Sequence, residues 1–310
     1  MTLLPELINP ISKKKIDPKD IVFFNNIPDL FFSDDNKLTN TQSEFYNEVK
    51  FPNYDDIDDF ATLLDKSSRS IFVKKLDDEI PYHANILEAG CGTGQLSISL
   101  SRFSRKIHSV DLSRGSLIEA KNFINKSEIK NVQLYRMNIF KLCFPKNYFD
   151  IIISNGVLHH TFNAKLAFSK LVDTLKPNGI IVIGLYHKYG RIIQNIRQIL
   201  IKIFGEKLKF LDRRFSEDIS DKKKYAWFKD QYQNPLETKH TYSEVIGWFK
   251  ENNIEYLNSI PFDFNFNNKL FSKQKRKSKY EIFFDELSLI TNLRQIYEGG
   301  FFVMIGKKNN

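Results

Sequence analysis

Along the chain, short runs rich in apolar residues alternate with stretches whose apolar residues recur at every third or fourth position. Residues 86–89, 107–110, 132–135, 149–154 and 180–185 are runs of the first kind, the pattern of strands buried on both faces of a parallel sheet. Residues 95–103, 114–124 and 164–175 carry the helical spacing between them. This alternation predicts a doubly wound α/β sheet with helices on both faces. Upstream, 60–80 reads as helix, with Leu63, Leu64, Ile71, Phe72 and Leu76 in phase and Pro81 as its stop. Downstream, Thr241-Tyr-Ser-Glu244 predicts a capping box for a helix over 242–251, followed by strands at 254–260 and 301–306.

Other stretches break the pattern. Residues 1–35 form a compact piece of their own, and 36–59 is polar and acidic, which reads as a linker packed across a domain spanning 60–308. Two insertions are expected within that domain, at about 187–240 and 262–298. In the first, 191–204 puts Ile192, Ile193, Ile196, Ile199, Leu200, Ile203 and Phe204 on one helical face, with Arg191, Arg197 and Lys202 elsewhere. A basic amphipathic helix of this kind lies on a membrane or partner, or closes as a lid over its own active site. The lid is the expectation here.

The candidate chemistry sits between 85 and 111. A strand leads into Gly90-Cys91-Gly92-Thr93-Gly94, then a helix, a second strand and a terminal carboxylate, Asp111. Glycines let the backbone turn tightly against a ligand, a helix start offers free N–H groups, and an acid at a strand tip can accept both hydroxyls of a ribose. The dinucleotide fingerprint G-x-G-x-x-G does not fit, because Gln95 and Ser97 stand where its last glycine would fall.

With Glu88 ahead of the loop, the segment resembles motif I of class I S-adenosylmethionine-dependent methyltransferases, E-x-G-x-G-x-G, in their small-molecule, UbiE-like group. Lys176-Pro177-Asn178-Gly179 is similar to the L-K-P-G-G of the same family, Asn178 being the departure. The resemblance implies a Rossmann-like seven-stranded sheet, its last strand antiparallel between two others, a helical lid, and S-adenosylmethionine as cofactor. It implies cofactor contacts from Glu88, Ala89, Gly90, Cys91, Gly92, Gly94, Gln95, Asp111, Leu112, Ile139, Asn155 and Val157, with Asn138 reaching the adenine amino group. Residues 3–32 resemble the small Trm112 module. Asn26-Ile27-Pro28-Asp29-Leu30 fits its close and Asn9-Pro10-Ile11-Ser12 its start without cysteines, which implies a degenerate module lacking zinc ligands.

Methyl transfer is an in-line displacement for which a protein supplies alignment and, when the acceptor needs it, a base. His159 and His160 follow one strand, and Tyr186 and His187 end the next, at the edge where open α/β sheets bind ligands. Either His159 or His160 could take a proton from a hydroxyl acceptor. Leu158-His159-His160 equally fits a helix-entry packing motif, and Tyr186 and His187 a lid contact. His240 with Glu237 supplies too few ligands, so no metal is assigned.

Composition adjusts this picture in a few places. Two cysteines in 310 residues, Cys91 and Cys143, exclude a disulfide framework and point to a reducing, cytoplasmic compartment. Cys91 reads as loop packing rather than a nucleophile. No apolar run is long enough to cross a bilayer, and no signal peptide is read before Lys13. The net charge of +9 is partly local, in 222–224 and 273–279. It keeps an RNA acceptor open, beside solvated loops as the plainer account. The aromatic-rich insertion favours a small-molecule acceptor under a lid. A scaffold that binds cofactor without turnover is the third reading.

Overall fold

The computed structural model describes residues 5–50, 52–263, 267–275, 277–290 and 300–310. Phe51 of the expected linker, Arg276 of the basic run, and 264–266 and 291–298 of the second insertion lie outside the described residues.

The chain begins with a hairpin, β1 (Val22–Phe24) and β2 (Ile27–Asp29), and three helices, α1 (Lys37–Glu48), α2 (Phe60–Ser68) and α3 (Ile71–Glu79). There follow β3 (Asn85–Ala89), α4 (Gln95–Ser99), β4 (Lys106–Asp111), α5 (Arg114–Lys126), β5 (Val132–Arg136), β6 (Phe149–Asn155), α6 (Ala164–Thr174) and β7 (Leu175–Tyr186). The remainder is α7 (Ile192–Phe204), α8 (Asp221–Gln233), α9 (Tyr242–Glu251), β8 (Ile254–Ile260), α10 (Lys279–Ser288) and β9 (Phe301–Lys308). Among the described residues the strands form one sheet in the order β1-β2-β5-β4-β3-β6-β7-β9-β8. β3 to β7 are mutually parallel, and β9 runs antiparallel between β7 and β8.

The apolar runs explain the layers. Alternate side chains of a strand point to opposite faces, so Leu87, Ile152, Ile181 and Met304 enter one core cluster while Ile86, Ile151, Ile153 and Val303 enter the other. Both faces are therefore covered, and the carboxyl ends of β3, β4, β6 and β7 open at one rim. The Lys176-Pro177-Asn178-Gly179 turn is extruded where Phe149 faces Leu175 but Ile151 faces Ile180, and Lys176 Nζ pairs with Asp150 at 2.7 Å.

Four expectations change. Among the described residues the sheet has nine strands, not seven, because β2 joins the free edge of β5. Leu30 N donates to the Arg136 carbonyl at 2.9 Å, and Asp29 takes ion pairs from Arg114 (2.5 Å) and Arg136 (3.2 Å). Residues 5–35 thus extend the sheet, with Leu7, Ile21 and Leu30 in its core. The stretch expected as a linker holds α1, capped by Asn36. Its buried residues are Thr39, Gln42 and Ser43, a polar face with no apolar period to read. Helix 60–80 is two helices, with Ser70 capping the second. The capping box at 241–244 is half formed: Thr241 accepts from Glu244 N, but the Glu244 carboxylate goes to His240 Nδ1 at 2.8 Å.

Candidate active site

At the carboxyl end of β3 the chain must reverse against β6. Gly90 has φ +78°, and a Cβ there would sit 2.3 Å from the Val157 side chain, so only glycine lets the loop close. Two carboxylates then fix the loop. Glu88 accepts from Ser97 N at 3.0 Å and from its hydroxyl, tying β3 to α4. Asp111 accepts from Gly92 N at 2.7 Å and Ser113 N at 2.8 Å, tying the loop to the tip of β4. From outside, Tyr54 donates to the Thr93 carbonyl at 2.7 Å and Gln95 to that of Asn53 at 2.8 Å.

Neither Glu88 nor Asp111 forms an ion pair among the described residues; Glu88 is buried and Asp111 half-buried beside the same cavity. Burial pushes the Glu88 carboxyl from 4.5 up to about 7, against the two Ser97 donors. Burial raises Asp111 as well, against its backbone donors. Two acids at one cavity without cations suit a ligand that brings an ammonium group and hydroxyls. Burial also pushes the Cys91 thiol well up, as a packed, unreactive side chain requires.

The Glu88 shift gives a stability prediction with a definite sign. Folded Glu88 holds its proton up to about pH 7, whereas the unfolded side chain releases it near 4.5. The native state binds more protons in that window, so this group's contribution to stability declines as pH rises through it. For ligand-free protein, Glu88→Gln is expected to flatten the fall in unfolding midpoint between those pH values. A slope identical to that of the wild type would contradict it.

The cavity is about 590 Å³ and runs from the glycine loop to the first insertion, within the size range of small-molecule sites. Its other lining residues come from α1, the ends of β6 and β7, the start of α7, α8 and the start of β9: Gln42, Tyr46, His160, Tyr186, Arg191, Trp227, Asp230, Gln231 and Phe301. The insertion is stitched down at both ends. His240 N donates to the Tyr186 carbonyl (2.9 Å), Lys188 N to that of His240 (3.0 Å), and Thr238 N to that of His159 (2.8 Å). Within this wall Tyr46 Oη donates to Asp230 at 3.0 Å, and Gln231 Nε2 donates to both Asp230 and Tyr186 Oη at 2.8 Å. Arg191 lies 4.0 Å over the Tyr186 ring and pairs with Glu237 at 2.8 Å and Gln231 at 2.7 Å. Gln42 Oε1 is buried at this wall with no hydrogen-bond partner.

The two histidines separate. His160 lines the cavity, and its Nδ1 lies 2.8 Å from the Leu236 carbonyl. A carbonyl only accepts, so Nδ1 carries the proton and Nε2 of the neutral ring is the acceptor. His159 is packed behind it, 4.2 Å ring to ring from His160 and 4.0 Å from Tyr186, with both nitrogens buried and unpartnered. Burial drives its charged form down, well below the usual imidazole range. His159 is thus placed to pack rather than to take a proton. Tyr186 faces the cavity, but burial raises its phenol, so it is placed to shape the wall.

Of the residues expected at the cofactor, Glu88, Gly90, Cys91, Gly92, Gln95, Asp111, Leu112, Ile139, Asn155 and Val157 all line this one cavity. Ala89 and Gly94 belong to the same turn but not to the wall. Asn138 is placed otherwise. It is buried, its Oδ1 accepts from Phe140 N at 3.0 Å and its amide reaches the Phe32 carbonyl at 3.4 Å, so Met137 and Ile139 supply the wall there. His187 is also elsewhere: Nε2 meets Glu286 at 3.1 Å and Nδ1 accepts from Tyr189 and Gly190, a joint between the two insertions. Gln42, Tyr46, Asp230 and Gln231 gave no signal in the sequence, since polar side chains at helical spacing look like solvated surface.

A family profile described as "Methyltransferase domain" matches residues 82–256. The chain belongs to this family. It is a class I S-adenosylmethionine-dependent methyltransferase, and S-adenosylmethionine is its cofactor. The match begins at residue 82, so the likeness of the first 35 residues to the Trm112 module is not confirmed. Among curated relatives, the methyltransferase is 29% identical over 103 residues to a ubiquinone biosynthesis O-methyltransferase of Bradyrhizobium diazoefficiens, covering 33% of this chain and 40% of that one. It is 30% identical over 135 residues to a malonyl-[acyl-carrier protein] O-methyltransferase of Bacillus anthracis, covering 42% and 48%. It is 27% identical over 153 residues to a demethylmenaquinone methyltransferase of Lactococcus lactis, covering 45% and 61%. The chain spans about half the length of these relatives. In fold it resembles PKMT2 from Rickettsia typhi in complex with AdoHcy, with a TM-score of 0.55 at 19% identity over 79% of this chain and 54% of that one. A geranyl diphosphate C-methyltransferase from Streptomyces coelicolor gives 0.52 at 12% identity over 89% and 100%. Among the described residues no helix of the methyltransferase is long and apolar enough to cross a membrane.

Proposed function

We propose that this methyltransferase transfers its methyl group to a hydroxyl of a small acceptor held between the glycine loop and the first insertion. The observation that carries the reading is the tautomer of His160: with Nδ1–H spent on the Leu236 carbonyl, the Nε2 lone pair is the one free to accept a proton. The cavity wall around it is closed by aromatic rings, Tyr46, Tyr186 and Phe301, which suit a flat or apolar acceptor. Asp230 and Gln231 add acceptors and donors that can orient a hydroxyl. Two of the three curated relatives above are named as O-methyltransferases, which agrees with an oxygen acceptor.

On the cofactor side, Asp111 has lone pairs beyond those used by Gly92 and Ser113, and these would take the ribose hydroxyls. Ionised Glu88 would lie on the side of the cofactor's ammonium, and Leu112, Ile139 and Val157 give apolar walls for the adenine. When bound, S-adenosylmethionine supplies an electrophilic methyl group on sulfur, with a neutral thioether as leaving group. The chain's own residues align the acceptor oxygen, exclude water beneath the insertion, and take the hydroxyl proton on His160 Nε2.

Incubation of the purified chain with methyl-labelled S-adenosylmethionine and size-fractionated cell extract tests the acceptor class. Label is expected in the low-mass fraction as a base-stable methyl ether. Label confined to the RNA fraction would overturn the small-molecule reading, and uptake of cofactor without any transfer would overturn the catalytic one.

A further inference from the structure

α7 is folded the wrong way round for a lid. Its inward side is largely polar: Arg191 at its start and Gln194 are buried, Gln198 Nε2 donates to the Gln231 carbonyl at 2.7 Å, and Ile201 is the one isoleucine of the helix that is buried. Its outward side is the apolar one. Ile196, Ile199, Ile203 and Phe204 are 52%, 57%, 66% and 63% exposed, and Phe210 in the following turn is 67% exposed. A helix that packs only against its own protein buries its apolar stripe, and a contiguous exposed stripe marks a surface that something else covers.

We propose that this face of α7 docks on an anionic lipid bilayer, lying in the interface with its isoleucines among the acyl chains. Charge selects that occupant. Between 191 and 215 there are seven Arg or Lys against two acidic residues, Glu206 and Asp212. Asp212 is buried beneath the Trp227 and Tyr232 donors, and Glu206 is paired with Lys209. The charge left at the rim is therefore positive, from Lys202, Lys207 and Arg213 with Arg197. Basic side chains flanking an apolar face are the pattern of an interfacial helix on acidic lipid. A second copy would press two positively charged faces together, and RNA would be held by stacking aromatic rings rather than branched aliphatic side chains. The docked helix follows directly on Arg191, which is part of the cavity wall, so the bilayer would lie against the roof of the site. An acceptor dissolved in the lipid would then have a short path to the cavity.

Flotation of the full chain with vesicles tests this. Wild-type protein is expected to float with phosphatidylcholine vesicles containing phosphatidylglycerol and only weakly with phosphatidylcholine alone. The double change Ile199→Ser and Ile203→Ser should reduce binding by roughly tenfold or more, from the apolar area withdrawn. Lys202→Glu with Lys207→Glu should abolish the preference for the anionic lipid. None of these residues lines the cavity, so calorimetric uptake of S-adenosylmethionine by each variant should match the wild type, which shows that the fold is intact. Wild-type protein that does not float, flotation indifferent to the isoleucine changes, or a dimer in solution broken by Ile203→Ser without vesicle binding would each overturn the proposal. These outcomes are independent of which acceptor is methylated.

Discussion

His160→Ala is expected to lower turnover of a hydroxyl acceptor by about 10²- to 10⁴-fold, the usual worth of a positioned general base. The loss should fall on the chemical step, because the His160 ring bonds to the Leu236 carbonyl of the insertion and not to the glycine loop, Glu88 or Asp111. S-adenosylmethionine affinity, measured by calorimetry, should therefore change little. Truncation also removes the Nδ1–H bond to the Leu236 carbonyl, which helps to hold the insertion down, so loss of rate alone would not separate a base from a strut. Added imidazole makes the distinction: it can occupy the space left by the ring and accept the proton, and partial recovery of rate is expected. His159→Ala offers the contrast. That ring has no hydrogen bond to lose and is packed behind the wall, so its removal should lower the unfolding midpoint more than it lowers the rate. Equal rate losses for the two variants, with no rescue of either, would refute the assignment.

Asp111→Ala is expected to weaken S-adenosylmethionine binding by more than tenfold. Its carboxylate does two jobs. It accepts the Gly92 and Ser113 amides, which shapes the loop, and its remaining lone pairs would receive the ribose hydroxyls. Hydrogen bonds to a charged group are worth about 1.5–3 kcal/mol each in net terms, so losing even one accounts for roughly tenfold. Asp111→Asn should fall between, because the amide keeps one acceptor oxygen but presents a donor where Gly92 N also donates. Calorimetric affinity left unchanged by the alanine variant would remove Asp111 from the ribose role.

The central sheet was legible because its strands are buried on both faces. A strand in that position is rich in apolar residues, and 149–154, with Phe149 and the run 151–153, leaves little else to be. The glycine loop was legible for a related reason. Gly90 has no room for a Cβ and the adjoining acids have fixed places at strand ends, so local chemistry and position coincide. Asn138 shows the limit of position alone. It stands where a side chain could meet the cofactor, yet its amide caps the turn that follows it.

The acceptor side followed the opposite rule. α1 turns Gln42 and Ser43 inward, α7 turns Gln194 inward, and α8 buries Asp230 and Gln231. Each buries polar residues where it meets the mixed polar and aromatic cavity wall, beside a few apolar ones such as Ile201 and Phe228. Hydrophobic periodicity points to the side of a helix that avoids water, and here that side is directed away from the protein or is absent. The stripe at 191–204 was therefore visible in the sequence, but its direction was not.

By itself, the sequence determined the parallel sheet, the cofactor loop and its two acids, and with them the class of enzyme, since backbone geometry and burial on both faces leave few residue choices there. Only the tertiary structure decided that the N-terminal hairpin extends the sheet, that His160 rather than His159 meets the cavity, and that the isoleucine face of α7 looks outward. Those outcomes depend on which polar groups find partners across more than a hundred residues of chain, such as Gln42 with the His160 carbonyl, and such pairings leave no periodic trace along it.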